Sequence, residues 1–158
     1  ANGYRLPTET EWEYAARKIK NGFQRGDLVS GAVDEFGNEN EDRLETDLAW
    51  MDANSSGTGN IGTAGSPLGQ DSLPESGNPN GMGLYDMSGN VMEFCWDWMA
   101  DYQYEEMNVG GPEYGSERIC RGGSWSPYAG FIFCADRYAF DPDEAYNYLG
   151  FRLARSAQ

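Results

Sequence analysis

Three cysteines and no histidine limit the chemistry available to this chain of 158 residues. Histidine is the commonest general base and transition-metal ligand, so its absence excludes Ser-His and Cys-His catalysis. Cys95, Cys120 and Cys134 are not spaced like the ligands of a zinc site. One disulfide can form among them, and an odd thiol then remains. The reactive residue types therefore disfavour hydrolytic and zinc-dependent mechanisms.

A second set of residues suits recognition. Between RGGSW at 121–125 and LGFRL at 149–153, the aromatic residues are Tyr128, Phe131, Phe133, Tyr138, Phe140, Tyr146 and Tyr148. They follow neither the period of a helix nor that of a strand, and Pro, Gly, Asp and Asn interrupt them. Rigid aromatic side chains among small polar residues are typical of protein-binding loops. The alternative is that these aromatics close a loop-rich core.

The first element predicted to support the aromatic segment is a helix over 6–17. Thr8 and Glu11 have the spacing of a capping box, and Trp12, Ala15, Ala16 and Ile19 share one face. This pattern predicts a packing helix with Trp12 as its core anchor.

The sequence predicts further strands at 28–29, 48–51 and 91–98, and the residues 52–65 as a surface loop. In the third strand, Met92, Phe94, Trp96 and Trp98 alternate with Val91, Glu93, Cys95 and Asp97, so the bulky residues are expected to face the core. RGGSW and LGFRL are also predicted as strands. Gly122 and Gly123 are expected to allow close backbone approach, with Trp125 as a buried base beneath the aromatic segment.

Length and charge narrow the class of protein. The chain is expected to form one domain, residues 1–158. Its 21 glycines and seven prolines predict many turns and little regular structure. A net charge of −15 disfavours binding to nucleic acid or to an anionic membrane. We find no signal peptide and no hydrophobic run long enough to cross a bilayer.

Four motifs together resemble the formylglycine-generating-enzyme, or sulfatase-modifying factor, family: GYRLPTETEWEYAAR at 3–17, GLYDMSGNVME at 83–93, RGGSW at 121–125 and GFRL at 150–153. The resemblance implies an α+β domain of C-type lectin-like fold, with long loops and little regular secondary structure. It also implies that the chain corresponds to the C-terminal portion of the family domain, with the N-terminal part missing.

Enzymes of this family oxidise a substrate cysteine with two copper-binding cysteines that follow the GGS motif. Here the residues from Ser126 to Phe133 contain no sulfur. Soft Cu(I) requires thiolates, so no copper is expected and the chain is interpreted as a non-enzymatic member. Iron-dependent relatives use histidines, which this chain lacks.

The C-terminal segment also resembles the variable proteins of diversity-generating retroelements, of the treponemal type. In those systems, errors at template adenines diversify Asn codons into a restricted set of residues. Lys, Gln, Met, Glu and Trp cannot be reached from an Asn codon in this way. The segment from Ser126 to Tyr148 contains no Lys, Gln, Met or Trp, and its single Glu is Glu144. The predicted ligand-binding residues are Ser126, Pro127, Tyr128, Gly130, Phe131, Ile132, Phe133, Tyr138, Ala139, Phe140, Asp141, Tyr146, Asn147 and Tyr148.

The family resemblance implies one structural metal. Family members often hold Ca²⁺ near the motif at 86–93, and the matching positions are Asp86, Gly89, Val91 and Glu93. Two carboxylates and two backbone carbonyls are hard oxygen ligands of the kind that Ca²⁺ prefers. The alternative is that Asp86 caps a turn and Glu93 pairs with an arginine.

The leading hypothesis is a monomeric, non-catalytic protein, displayed on a bacterial cell surface or secreted, that binds a variable protein ligand through 126–148. An anchor would lie in the missing N-terminal part, since nothing here inserts into a membrane. The alternative is an oxidase-like enzyme of the sulfatase-modifying class with altered chemistry. A calcium-dependent sugar site is disfavoured because neither Glu-Pro-Asn nor Gln-Pro-Asp occurs.

Overall fold

A four-stranded mixed sheet carries one helix on its inner face. The computed structural model describes residues 3–34, 36–39, 48–51, 79–101, 111–126 and 131–156. The elements in chain order are α1 (Glu9–Arg17), β1 (Lys18–Ile19), β2 (Gly22–Phe23), β3 (Met92–Trp98), β4 (Arg118–Arg121), β5 (Arg137–Phe140) and β6 (Leu149–Gly150). The sheet order is β5-β4-β3-β6, and only the β3–β6 pair is parallel. This architecture is α+β with short elements, as predicted.

The predicted helix and its capping box are confirmed, but the helix begins only at Glu9, and Ile19, expected on its apolar face, lies in β1. The Glu11 backbone N–H donates to Thr8 Oγ1 at 3.2 Å, and the Thr8 N–H donates to Glu11 Oε2 at 2.9 Å. These two bonds satisfy backbone donors that the first helical turn otherwise leaves without partners. The apolar face of α1 buries Trp12 and Ala16 against the sheet. Trp12 is therefore the core anchor that its spacing predicts.

The main core lies between α1 and the inner face of the sheet. Its buried members are Trp12, Ala16, Met87, Cys95, Ile119 and Cys134. The three cysteines are free thiols in the interior.

The prediction that the bulky face of β3 packs on the core is confirmed only in part: Met92 and Phe94 pack with Cys120 in a separate cluster, but the opposite face lies beneath α1. Glu93, Cys95 and Asp97 are buried beneath α1, whereas Trp96 is 56% exposed on the opposite face. Only Met92 of the bulky set is fully buried. Hydrogen bonds from α1 explain why this face of β3 is buried. Trp12 Nε1 donates to Glu93 Oε2 at 2.7 Å, and the Glu9 N–H donates to Asp97 Oδ2 at 2.7 Å. The helix thus requires acceptors beneath it, and the alternation of β3 places its carboxylates there.

The strands predicted at RGGSW and LGFRL are shorter in the structure than in the prediction. β4 ends at Arg121, and Gly122 and Gly123 follow with φ of +91° and +64°. A Cβ on Gly123 would lie 2.5 Å from the carbonyl oxygen of Phe131, so the predicted close backbone approach is confirmed. Of the motif at 149–153, only Leu149–Gly150 is a strand. The chain therefore turns sharply where the motif RGGSW was expected to continue straight.

Three other strand assignments also differ. Residues 28–29 form no strand, and 48–51 contribute only a bridge between Trp50 and Gly89. β5, within the segment predicted to be irregular, pairs along its length with β4. Because β5 lies at the edge of the sheet, with both of its faces half-exposed, its side chains carry no clean alternation. The loop predicted at 52–65 lies outside the described residues.

Candidate binding surface

The described part of the aromatic segment, residues 131–148, presents its rings in two groups. In the first, hereafter the Phe131 group, the rings of Phe131 and Phe133 stack with centroids 6.1 Å apart. The hydroxyl of Tyr138 donates to the carbonyl oxygen of Phe131 at 2.8 Å, which ties this group to β5. The Phe131 side chain is 70% exposed. The hydrogen bond from Tyr138 thus fixes the backbone at Phe131 while the apolar ring of Phe131 stays exposed to solvent.

The second group, hereafter the Tyr146 group, consists of Phe140, Tyr146 and Tyr148. Tyr146 and Tyr148 stack with centroids 5.1 Å apart and planes 3° from parallel. The Phe140 ring lies 5.8 Å from Tyr146 and 6.3 Å from Tyr148, tilted against both. Such ring packing restricts each side chain before any ligand arrives, which lowers the entropy cost of binding.

A turn connects Phe140 to the two tyrosines. Asp141 accepts the Asp143 N–H through Oδ1 at 2.9 Å, and its carbonyl accepts the Glu144 N–H at 3.0 Å. The Met92 N–H donates to the Tyr148 carbonyl at 2.9 Å, which fixes the far end of the turn on β3. The Tyr146 group is therefore mounted between two strands of the sheet.

The predicted contact residues divide by exposure. The exposed residues are Phe131, Asp141, Tyr146 and Asn147. The half-exposed residues are Phe133, Tyr138, Ala139, Phe140 and Tyr148. Trp125, predicted as a buried base, is half-buried. Pro127, Tyr128 and Gly130 lie outside the described residues.

Two predicted contact residues are buried, which corrects the expectation that the segment stands clear of the core. Ile132 is 3% exposed and packs with Val29 and Ala49 in a second core cluster. Ser126 is also buried, and its N–H donates to Ser124 Oγ at 3.1 Å. The side chain of Ile132 packs against Gly123, where a Cβ would lie 2.8 Å from Ile132 Cγ2.

A charge network that the sequence reasoning missed supports the segment from below. Arg121 is fully buried, and its guanidinium donates to Glu9 Oε1 at 2.5 Å, Glu13 Oε2 at 2.7 Å and the Cys134 carbonyl at 2.5 Å. Arg137 of β5 binds both carboxylate oxygens of Glu9, at 2.6 and 2.9 Å. The spacing of Glu9 and Glu13 on one helix face is the only sequence signal for this network.

The ion pairs of Glu13 favour its ionised form. Burial by itself would raise the pKa of Glu13, but hydrogen bonds from Arg17 and Arg121 outweigh it and keep that pKa below its usual value. The network joins α1, β4, β5 and the backbone at Cys134. It therefore connects the aromatic segment to the helix at Cys134 and Arg137 without using any exposed ring.

The thiols are poorly suited to catalysis. Burial raises the pKa of Cys134 to about 12 and raises the pKa values of Cys95 and Cys120 above the usual range. Because the thiolate is the nucleophile and the metal ligand, protonated buried thiols are inert. Within the described ranges, no three His, Cys, Asp or Glu side chains cluster as metal ligands.

The residues predicted to hold calcium do not fit that ion as they are arranged. Arg152 donates to both carboxylate oxygens of Glu93, at 2.5 and 2.6 Å. The same guanidinium reaches the carbonyl of Asp86 at 3.2 Å. A positive charge thus lies between the residues expected to bind Ca²⁺, and it neutralises the carboxylate of Glu93. Gly89 and Val91 lie on the loop between them. Calcium binding stays a prediction that these contacts disfavour.

A cleft of about 410 Å³ lies beside α1. Its walls are Glu9, Thr10, Glu13, Tyr14, Arg17 and Phe23. The charged groups of this cleft already have structural partners, because Glu9 and Glu13 bind Arg121 and Arg17 pairs with Glu13.

Comparison with known proteins gives consistent results. The model of the sulfatase-modifying factor enzyme 1-like domain matches residues 1–157. The formylglycine-generating enzyme of Streptomyces coelicolor is 35% identical over 98% of this chain and 48% of its own length. The formylglycine-generating enzyme of Mus musculus is 34% identical over 96% of this chain and 39% of its own length.

A solved structure, Treponema denticola variable protein 1, superposes with a TM-score of 0.68 at 36% identity, covering 98% of this chain and 48% of that protein. The chain thus spans less than half the length of these relatives. The similarity confirms both the predicted fold class and the predicted resemblance to a treponemal variable protein.

Proposed function

Because the chain belongs to the sulfatase-modifying factor enzyme 1-like family, we propose that it uses the family scaffold for binding rather than for catalysis. In this proposal, residues 126–148 form a diversified, aromatic-rich surface, generated by a diversity-generating retroelement, that recognises a protein ligand. One observation carries the proposal: the Phe131 and Tyr146 groups expose pre-stacked rings on a backbone that is anchored elsewhere.

Exposed aromatics of this kind favour protein recognition. Tyrosine and phenylalanine bury large areas at small entropic cost and are common hot spots of interfaces. Phe131 and Tyr146 are 70% and 42% exposed, although each has a stacked neighbour that could have covered it. Apolar rings held outward in this way suggest a surface adapted for contact.

The scaffold supports diversification because its stability comes from other residues. The Arg121 network and the Trp12 core involve no exposed residue of the segment. Substitution at exposed positions therefore leaves the fold intact. The similarity to Treponema denticola variable protein 1 supports the same role.

Two pairs of substitutions test the surface. Phe131→Ala with Tyr146→Ala removes two exposed rings, while Phe36→Ala with Tyr114→Ala removes rings that are 73% and 79% exposed elsewhere. Peptides are first selected on the wild-type protein from a random display library. We expect most of them to lose binding to the first variant and to keep binding to the second. Equal loss in both variants would refute a dedicated surface.

Stability is measured on the same variants. Both double variants are expected to unfold within about 0.5 kcal/mol of the wild-type protein, because their side chains are exposed. Phe140 is not used in this test, since it is half-buried against the Met92–Cys120 cluster and its loss would weaken the fold. A large loss of stability in the Phe131 and Tyr146 variant would show that these rings belong to the core.

Diversification has a genetic test. The DNA flanking the gene is sequenced for a near-copy of the segment that encodes residues 125–151. A copy that differs only at adenines, beside a reverse transcriptase gene, is the expected result. The mismatches would then identify the variable positions, and absence of a copy would leave a fixed interface in place of a diversified one.

The competing proposal is an oxidase-like enzyme, and it is favoured by the formylglycine-generating enzymes among the relatives. Against it are the absence of cysteine from Ser126 to Phe133, directly after the GGS motif, and the high pKa of the buried thiols. Copper-dependent oxygen consumption with a cysteine-containing peptide distinguishes the two. We expect none, and turnover would establish the enzyme.

The location that follows from the proposed role is outside the cell, either secreted or on the surface, with a monomer presenting one binding face. Among the described residues, no helix has the length and hydrophobicity needed to cross a bilayer. Protease treatment of intact cells tests surface display, since a displayed protein is digested while cytoplasmic markers survive.

A further inference from the structure

We propose that the Tyr146 group recognises a basic partner, a peptide or protein surface that presents arginine or lysine side chains to the rings. This inference rests on the proposed binding function and adds the chemical class of the ligand. It comes from the combination of exposed aromatic faces with carboxylates that have no cation of their own.

Three carboxylates surround the Tyr146 group. Asp141, Asp143 and Glu144 lie on the exposed turn between Phe140 and Tyr146. Among the described residues, none of the three forms an ion pair. By contrast, Glu9, Glu13 and Glu93 are paired with arginines. Negative charge is therefore left uncompensated beside the rings.

The nearest cations are held by other groups. Arg118 pairs with Phe140 across β4 and β5, but its guanidinium lies 3.6 Å from the centroid of the Trp98 ring and 4.8 Å from that of Trp96. Arg137, three residues before Phe140, binds Glu9. Neither arginine is positioned to neutralise the turn, so neither competes with an incoming cation.

The geometry suits a guanidinium or ammonium group. Tyr146 donates its hydroxyl to Glu144 Oε1 at 3.1 Å, which places a carboxylate at the edge of an exposed ring. A cation on the ring face would gain cation–π attraction and could reach this carboxylate at the same time. The net charge of −15 adds long-range attraction for a basic partner.

The experiment uses the peptides selected on the wild-type protein at low salt. Lysine and arginine are expected to be enriched in those peptides whose binding requires Phe131 and Tyr146. The variant Asp141→Asn, Asp143→Asn, Glu144→Gln removes three charges and retains the hydrogen-bond acceptors of the turn. For a selected peptide, we expect affinity to fall about 10-fold or more in this variant.

A matched control makes the same change in net charge elsewhere. Asp101, Glu113 and Glu117 are exposed, and Asp101→Asn, Glu113→Gln, Glu117→Gln leaves the turn untouched. This control is expected to change affinity less than about twofold at 0.15 M salt, where distant charges are screened. A salt titration of the wild-type complex gives a second readout that needs no variant.

Each outcome decides between the two proposals. Basic peptides that lose binding in both the aromatic and the charge variants support this inference. Peptides that require the rings but carry no excess of Lys or Arg, and ignore the charge variant, would overturn it and leave the binding function intact. If the selected peptides are indifferent to the aromatic variant, the proposed function itself fails.

Discussion

Two regions of this molecule use the same residue types in opposite ways. Beneath α1, aromatic rings and carboxylates are buried and matched: Trp12 donates to Glu93, and Glu9 binds two arginines. At the Tyr146 group, the ring of Tyr146 is exposed beside three exposed carboxylates. Those carboxylates, of Asp141, Asp143 and Glu144, form no ion pair within the described structure. Position in the fold, more than residue type, separates a structural network from a recognition surface.

The difference indicates how a scaffold can carry a changeable surface. The buried network holds the backbone at Arg121, before the aromatic segment, and at the Cys134 carbonyl and Arg137 within it. Exposed side chains then contribute little to folding and are available for contact. The two regions meet at Gly123 and Ile132, so the division is not complete.

The largest effect is expected from Arg121→Met. Removing a buried partner leaves the Cys134 carbonyl without its donor and weakens the pairing of Glu9 and Glu13. We expect a loss of about 3–5 kcal/mol in the free energy of unfolding, measured by urea denaturation. Arg25→Met, at an exposed ion pair, should cost less than about 1 kcal/mol. Equal effects would remove the distinction between the regions.

Gly123→Ala tests where the two regions meet. Gly123 has a positive φ, and a Cβ there would clash with the carbonyl of Phe131. Gly31→Ala is the control, because Gly31 also has a positive φ but open space around it. The control should cost about 1–3 kcal/mol from backbone strain alone. We expect Gly123→Ala to cost more and to displace the Phe131 group, which reduced peptide binding would reveal.

A smaller effect is expected from acid. The hydrogen bond from Arg5 lowers the pKa of Glu11 to about 2. Since the folded-state pKa is depressed, the stabilisation is present above about pH 4.5 and is lost as the pH falls toward 2. This side chain is partly exposed, so its contribution is about 0.5–1 kcal/mol. Glu11→Gln should make stability fall less steeply over this range, and an unchanged slope would contradict a stabilising ion pair between Arg5 and Glu11.

The smallest effect is expected from calcium. Arg152 already neutralises Glu93, so excess EDTA should leave the melting temperature unchanged. A melting temperature that rises with added Ca²⁺ would restore the calcium prediction, because a ligand that binds the folded state stabilises it. It would also imply that Arg152 moves away from Glu93.

Much of the scaffold was predictable from local sequence. The capping box at Thr8 and Glu11, the buried Trp12 and the close approach at Gly123 follow from local spacing and backbone conformation. The four motifs predicted the fold class, and the aromatic composition predicted that Phe131 and Tyr146 would be exposed. Each of these features depends on residues close together in the chain or on residue type alone.

Tertiary structure decided the rest. The sequence of β3 alternates between two sets of side chains and does not show which set lies beneath α1. The hydrogen-bond acceptors that α1 needs determined that Glu93, Cys95 and Asp97 turn inward. β5 is a strand because β4 offers it backbone partners, not because of its own pattern. Arg121 and Glu9 lie 112 residues apart in sequence and meet only in the folded chain. Local patterns specify what each segment can form, and long-range polar partners specify which face and which pairing the protein adopts.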